Sequence, residues 1–208
     1  MKKTNIILIL FLINLITPKL LAQKESDTIF LLKEKGHTIY LEPNKNSITY
    51  DSLRNFIRFK LKNETSEILG LQTKWVPLYS YRSNYYLYLP CDLSTSSKIC
   101  FSNDEINIEG YEIYKFKINS GIKKVSNSLY KITYKDFLGK KICVEIHIID
   151  SLKGMALFKF ISENKTISYS LMTNSKNLKT FPLIINNCKS NRTKEVIFDK
   201  INFEKMLK

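Results

Sequence analysis

Tyr-Ser-Tyr-Arg-Ser-Asn-Tyr-Tyr-Leu-Tyr, residues 79–88, begins four positions after the single tryptophan, Trp75, so six large aromatic side chains fall within fourteen residues. A two-residue turn at Ser83–Asn84, with Asn84 in the positive-φ region that such turns need, folds this stretch into a β-hairpin. In that register Tyr81 opposes Tyr86, Tyr79 opposes Tyr88 and Leu78 opposes Leu89. The side chains then sort themselves. One face carries Trp75, Pro77, Tyr79, Tyr81, Tyr86, Tyr88 and Pro90, and the other Val76, Leu78, Ser80, Leu87, Leu89 and Cys91. A three-residue loop would slip one strand by one position and mix leucines with tyrosines on both sides.

The aliphatic face reads as core. The aromatic face has two readings. Trp75, Tyr79, Tyr81, Tyr86 and Tyr88 can form a ligand surface, stacking on sugar rings or planar molecules or lining a barrel mouth that suits a small apolar molecule. They can equally be cross-strand pairs that fill an interior.

Working outward, period-two alternation of Val, Ile, Tyr, Phe and Thr continues through most of the chain, in about a dozen short runs from Thr28 to Ile185 that include Asn55–Leu61 and Trp75–Tyr81. No long helical pattern intervenes. The expectation is an all-β fold, an antiparallel barrel or sandwich. Asp-Phe-Leu-Gly-Lys-Lys at 136–141 and Asp-Ser-Leu-Lys-Gly-Met at 150–155 place a glycine between alternating runs, which predicts a meander from Ser128 to about Met172. The one credible helix outside the leader is terminal, where Phe203, Met206 and Leu207 share a face.

The chain opens with a leader pattern. Lys2 and Lys3 precede an apolar run from Ile6 to Ile16, and Ala22 supplies a small residue before Gln23, the architecture of a secretory signal peptide over residues 1–22. The run is shorter than the roughly 20 residues a spanning helix needs, and no cysteine follows it for acylation. Residues 23–208 then make one exported β-rich domain, periplasmic or extracellular, with no transmembrane segment. Removing Lys2, Lys3 and Lys19 takes the net charge of +14 to +11. The full chain's 29 lysines against 4 arginines are dispersed rather than clustered, which argues against nucleic-acid binding.

Four cysteines in an exported chain allow three pairings. The polar stretch between Cys91 and Cys100 favours a local bond there, worth about 2.5–3 kcal/mol in the loop-entropy account. Cys143 and Cys188 would then close a long loop or remain buried thiols.

Chemistry-bearing patterns are sparse. Cys143, Glu145 and His147 alternate onto one strand face, but successive same-face positions lie about 7 Å apart, too far for a thiol–imidazole hydrogen bond. Asp104, Glu105, Glu109 and Glu112 fall short of the 6–8 oxygens that calcium takes and lack the EF-hand spacing. No nucleophile elbow, zincin helix or phosphate loop is present, and glycosylation sequons stand at Asn63, Asn164 and Asn191. No cofactor or metal is implied. The leading expectation is a binding module for a small apolar or glycan ligand at the aromatic face. An envelope protein-interaction or structural role and a carboxylate/His147 hydrolase are the alternatives.

Overall fold

The computed structural model describes residues 29–34, 36–48, 50–51, 66–91, 97–110, 112–188 and 195–207. The leader, the expected strand at Asn55–Leu61 and the sequons at Asn63 and Asn191 lie outside the described residues.

Alternating β-branched and aromatic residues favour the pleated, half-buried surface of a strand, and the described residues form sixteen strands. In chain order they are β1 (Ile29–Glu34), β2 (His37–Glu42), β3 (Glu67–Ile68), β4 (Leu71–Gln72), β5 (Lys74–Pro77), β6 (Tyr79–Tyr81), β7 (Asn84–Leu89), β8 (Lys98–Phe101), β9 (Glu105–Glu109), β10 (Ile113–Lys117), β11 (Lys123–Lys124), β12 (Leu129–Lys135), β13 (Lys141–Asp150), β14 (Met155–Ser162), β15 (Ile167–Asn174) and β16 (Leu183–Cys188). A short helix, α1 (Phe203–Met206), ends the chain, with Asn202 Oδ1 accepting the Lys205 N–H at 3.0 Å.

Nine strands form one antiparallel sheet in the order β10-β9-β8-β5-β15-β14-β13-β12-β11. Its β12–β15 portion is the expected meander. The sheet curls into a half-barrel until an antiparallel bridge between Ile118 and Tyr134 ties the β10 end to β12. Its concave side holds Trp75, Phe101, Ile106, Ile132, Ile146 and Phe158, all almost fully buried.

A second sheet, β1-β2-β16-β7-β6, packs on the outer face of the first. Val76, Met155 and Leu171 from the half-barrel meet Leu78, Leu87, Leu183 and Ile185 in the shared core, with Tyr50, Phe181, Phe203 and Met206 around them. The architecture therefore combines both expected forms, a curled sheet and a sandwich layer. β16 runs parallel to β7, the one parallel pair recorded among the described strands.

Three local expectations are corrected. Trp75–Tyr81 is not one strand, because the backbone crosses between sheets at Leu78, whose N–H bonds to the Leu171 carbonyl at 2.8 Å. The terminal helix is not the only helical segment, since Ile48, Tyr50 and Asp51 are helical, started by Ser47 Oγ accepting the Tyr50 N–H at 3.0 Å, and a 3₁₀ turn spans Leu178–Thr180. The expected disulfides are replaced by Cys91–Cys188, while Cys100 and Cys143 are free thiols. Parallel pairing of β7 with β16 brings the two strand ends together at a Cα–Cα distance of 5.9 Å, which suits a disulfide. Cys100 meanwhile sits fully buried inside β8.

Candidate functional site

The hairpin of β6 and β7 keeps the expected separation of faces with a displaced turn. Arg82 and Ser83, not Ser83 and Asn84, occupy the turn, at φ +50° and +63°. Tyr79 accordingly pairs with Tyr86 and Tyr81 with Asn84. Moving the register by two positions preserves side-chain direction, because strands repeat every two residues. Leu78, Leu87 and Leu89 thus point to the shared core, and Tyr79, Tyr81, Tyr86 and Tyr88 to the opposite face. The ring pairs expected directly across the hairpin meet diagonally instead, Tyr79–Tyr88 at 5.5 Å and Tyr81–Tyr86 at 6.2 Å, both edge-on.

This tyrosine face is covered by the chain's own segment Glu195–Asp199. Phe198 packs its ring 4.6 Å from Tyr79 and 5.0 Å from Tyr88, with Val196 beside it. The Asp199 N–H bonds to the Ser80 carbonyl at 2.8 Å, and its carboxylate takes the Ser83 N–H at 3.0 Å and the Ser80 hydroxyl at 3.3 Å. Asp199 therefore pins the turn from 116 positions away in sequence.

Beneath the segment runs a polar chain. The Tyr88 hydroxyl donates to Glu195, and Asn186 Nδ2 donates to the same carboxylate at 2.9 Å and to the Tyr88 oxygen at 3.1 Å. His37 Nε2 lies 2.7 Å from Asn186 Oδ1, and because an amide oxygen only accepts, the imidazole nitrogen is the donor of this bond. Burial, then the bond to Glu195, pushes the Tyr88 phenol above its ordinary range.

The five residues expected to form one surface are dispersed. Trp75 lies in the half-barrel core, edge-on to Phe158 at 5.3 Å, with Nε1 donating to the Gln72 carbonyl at 2.6 Å. Tyr88 joins the polar chain, and Tyr81 stands under the Arg82 guanidinium at 5.2 Å. Tyr79 borders a cleft of about 550 Å³ with Tyr169, Ile201 and Phe203. Tyr86 borders a larger one of about 640 Å³ between the hairpin and the β13–β14 turn. There Tyr85, Tyr86, Met155, Phe181 and Met206 supply apolar wall, and the Asp150–Lys153 pair, 3.6 Å apart, supplies charge.

The residues missed in sequence are Tyr85, Phe181, Phe198 and Asp199. The short apolar run Val196-Ile197-Phe198 between two acids was the available signal for a covering segment, and nothing in it names the face it covers.

Elsewhere, Cys143, Glu145 and His147 do share a face. Glu145 is engaged by Lys131 at 2.8 Å, Lys159 at 3.6 Å and His147 at 3.6 Å. It is the one acid recorded against His147 among the described residues, so the pair of acids a hydrolase reading needs does not converge there. In the acidic stretch, Glu109 is buried against Lys98 at 3.8 Å and Asn107 is buried on the same strand. Among the described residues no cluster of three metal-ligating side chains forms, and no helix is long and apolar enough to cross a membrane.

A scan of protein-family models finds none that matches this chain, and a search of curated proteins finds no significant match.

Proposed function

We propose that this chain is an exported binding module that holds a small, mostly apolar, ring-bearing molecule in the cleft beside Tyr85 and Tyr86. The observation that carries the reading is the cleft of about 640 Å³ lined by Tyr85, Tyr86, Met155, Phe181 and Met206. Clefts of about 300–1,000 Å³ with apolar walls and a few polar groups suit small ligands. The Asp150–Lys153 pair, with Ser83 and Asn84 at the hairpin end, offers polar handles for orientation. Export is supported by the leader pattern and by the Cys91–Cys188 bond.

Methionine placement provides the test. Met155 and Met206 line the cleft, whereas Met172 is buried inside the half-barrel. In methyl-labelled protein titrated with a panel of aromatic and glycan fragments, binding is expected to shift the Met155 and Met206 signals and leave Met172 in place. A panel that moves none of them, or moves Met172 equally, counts against the cleft.

The protein-interaction reading is supported by a different observation. Glu195–Asp199 lies over the tyrosine face, held by the Asp199 N–H on the Ser80 carbonyl and by the Phe198 ring on Tyr79, the kind of contacts by which a protein docks a foreign peptide. Binding of an added Glu-Val-Ile-Phe-Asp peptide to a chain truncated before Glu195, and not to the intact chain, would favour it.

A further inference from the structure

Phe137 and Leu138, adjacent at the tip of the β12–β13 hairpin, are 70% and 77% exposed. The tip is ordered by its own bonds. Asp136 Oδ1 accepts the N–H groups of Leu138 at 2.9 Å and Lys140 at 2.8 Å, and Gly139, at φ +75°, donates to the Asp136 carbonyl at 3.0 Å. Behind it the Phe137 ring rests on Phe116 at 4.8 Å and Tyr114 at 5.3 Å. Two apolar side chains are thus held out in water by a built turn at one end of the half-barrel.

Charge surrounds this apex. Lys115, Lys135, Lys140, Lys141 and Lys165 are exposed on the strands and turns at that end, where Lys135 pairs with Lys141 across the hairpin. The acids nearby are Glu112, Asp136 and Glu163. Each is engaged locally: Asp136 by the turn, Glu112 by the Tyr114 hydroxyl, and Glu163 by the Lys141 N–H at 3.5 Å. A protruding apolar tip within a lysine ring suits a deformable anionic surface better than a preformed groove.

We propose that this apex docks the protein on an anionic bilayer, with Phe137 and Leu138 entering the boundary between headgroups and acyl chains and the lysines meeting lipid phosphates. Burial of the apolar pair and attraction of the lysines add, the combination that interfacial binding requires. The docking surface is separate from the ligand cleft, so either can fail without the other.

The test compares co-flotation of the disulfide-bonded protein with vesicles of phosphatidylcholine alone and with about a third phosphatidylglycerol. Binding is expected on the anionic vesicles and several-fold weaker in 0.5 M salt, as screening dictates. The double variant F137S/L138S is expected to bind at least about tenfold more weakly than wild type, a ratio from which contributions of unchanged segments drop out. L152S, at a residue 91% exposed on the turn at the opposite end of β13, is expected to bind as wild type. In F137W, tryptophan emission is expected to shift to shorter wavelength on anionic vesicles. Equal binding by F137S/L138S and wild type, no preference for anionic lipid, or equal loss in L152S overturns the proposal. So does a dimer in solution that F137S/L138S abolishes, which assigns the apex to a second copy.

Discussion

At the residue scale, two side chains carry measurable consequences of their surroundings. Burial is the chief cause that raises the Cys100 thiol to about 11, Glu109 adds to it, and the nearby Lys74 charge works the other way. At pH 8 roughly one Cys100 in a thousand is then thiolate, the reactive form. Alkylation of the native protein at pH 8 followed by peptide mapping is expected to modify half-buried Cys143, leave Cys100 untouched and recover Cys91 bonded to Cys188. Labelling of Cys100 at the rate of Cys143 contradicts the burial described. Glu145 is shifted in the opposite direction. The hydrogen bond from Lys131 holds its carboxyl below the ordinary value, partial burial opposes this, and the charges of Lys131 and Lys159 and the neighbouring His147 assist. A carboxyl depressed in the folded state contributes stability above its unfolded pKa of about 4.3 and loses it as pH falls through the lower folded value. Glu145→Gln is therefore expected to cost stability near neutrality and to converge on wild type in acid. With Lys131 40% exposed the cost stays below about 1 kcal/mol. Denaturant melts from pH 7 to 3 measure it, and a gap unchanged at pH 3 rejects the assignment.

At the scale of the element, the β6–β7 hairpin shows how much local sequence can decide. Alternation alone separated leucines from tyrosines, and this survives in the structure because any even shift of register keeps the faces. The turn position was not readable from the hairpin, since Asn84 is a good positive-φ residue, yet Arg82 and Ser83 take that conformation. Asp199 decides the matter by holding the Ser83 N–H and the Ser80 hydroxyl from the far end of the chain. Two non-glycine residues at positive φ carry a cost, so the Asn-Gly replacement R82N/S83G is expected to stabilise the protein. The gain is about 1 kcal/mol after loss of the Arg82 contact with Tyr81. Urea unfolding at neutral pH checks this, and destabilisation would mean that the Arg82 side chain contributes more than the positive-φ backbone costs. The same hairpin explains the missed disulfide. Cys91 follows β7, but its partner is chosen by the strand beside β7, and nothing near Cys91 announces that this strand is β16.

At the scale of the whole molecule, the two sheets share a core in which Val76, Met155 and Leu171 interlock with Leu78, Leu87 and Leu183. Such sharing predicts one cooperative transition. Trp75 reports from the half-barrel, and the backbone amide signals of β2 and β16 report from the second sheet, so tryptophan fluorescence and the loss of those amide signals in denaturant are expected to give coincident unfolding curves. Separate midpoints would show that the sheets unfold independently. Loss of the disulfide in C91S/C188S is expected to lower both midpoints together, by about 2–4 kcal/mol in stability. The candidate site was legible only in part. The tyrosines were visible as a group, but the leap of the backbone at Leu78 removes Trp75 to another core, and Glu195–Asp199 closes the face that alternation had left open. What the amino-acid order determined by itself is the all-β class, the meander, and which side chains of each strand travel together, because side-chain direction is a local, period-two property of an extended backbone. Only the tertiary structure decided which strands became neighbours, which cysteines bonded and what covered the tyrosines. Those outcomes depend on contacts between residues about a hundred positions apart, and local spacing carries no record of them.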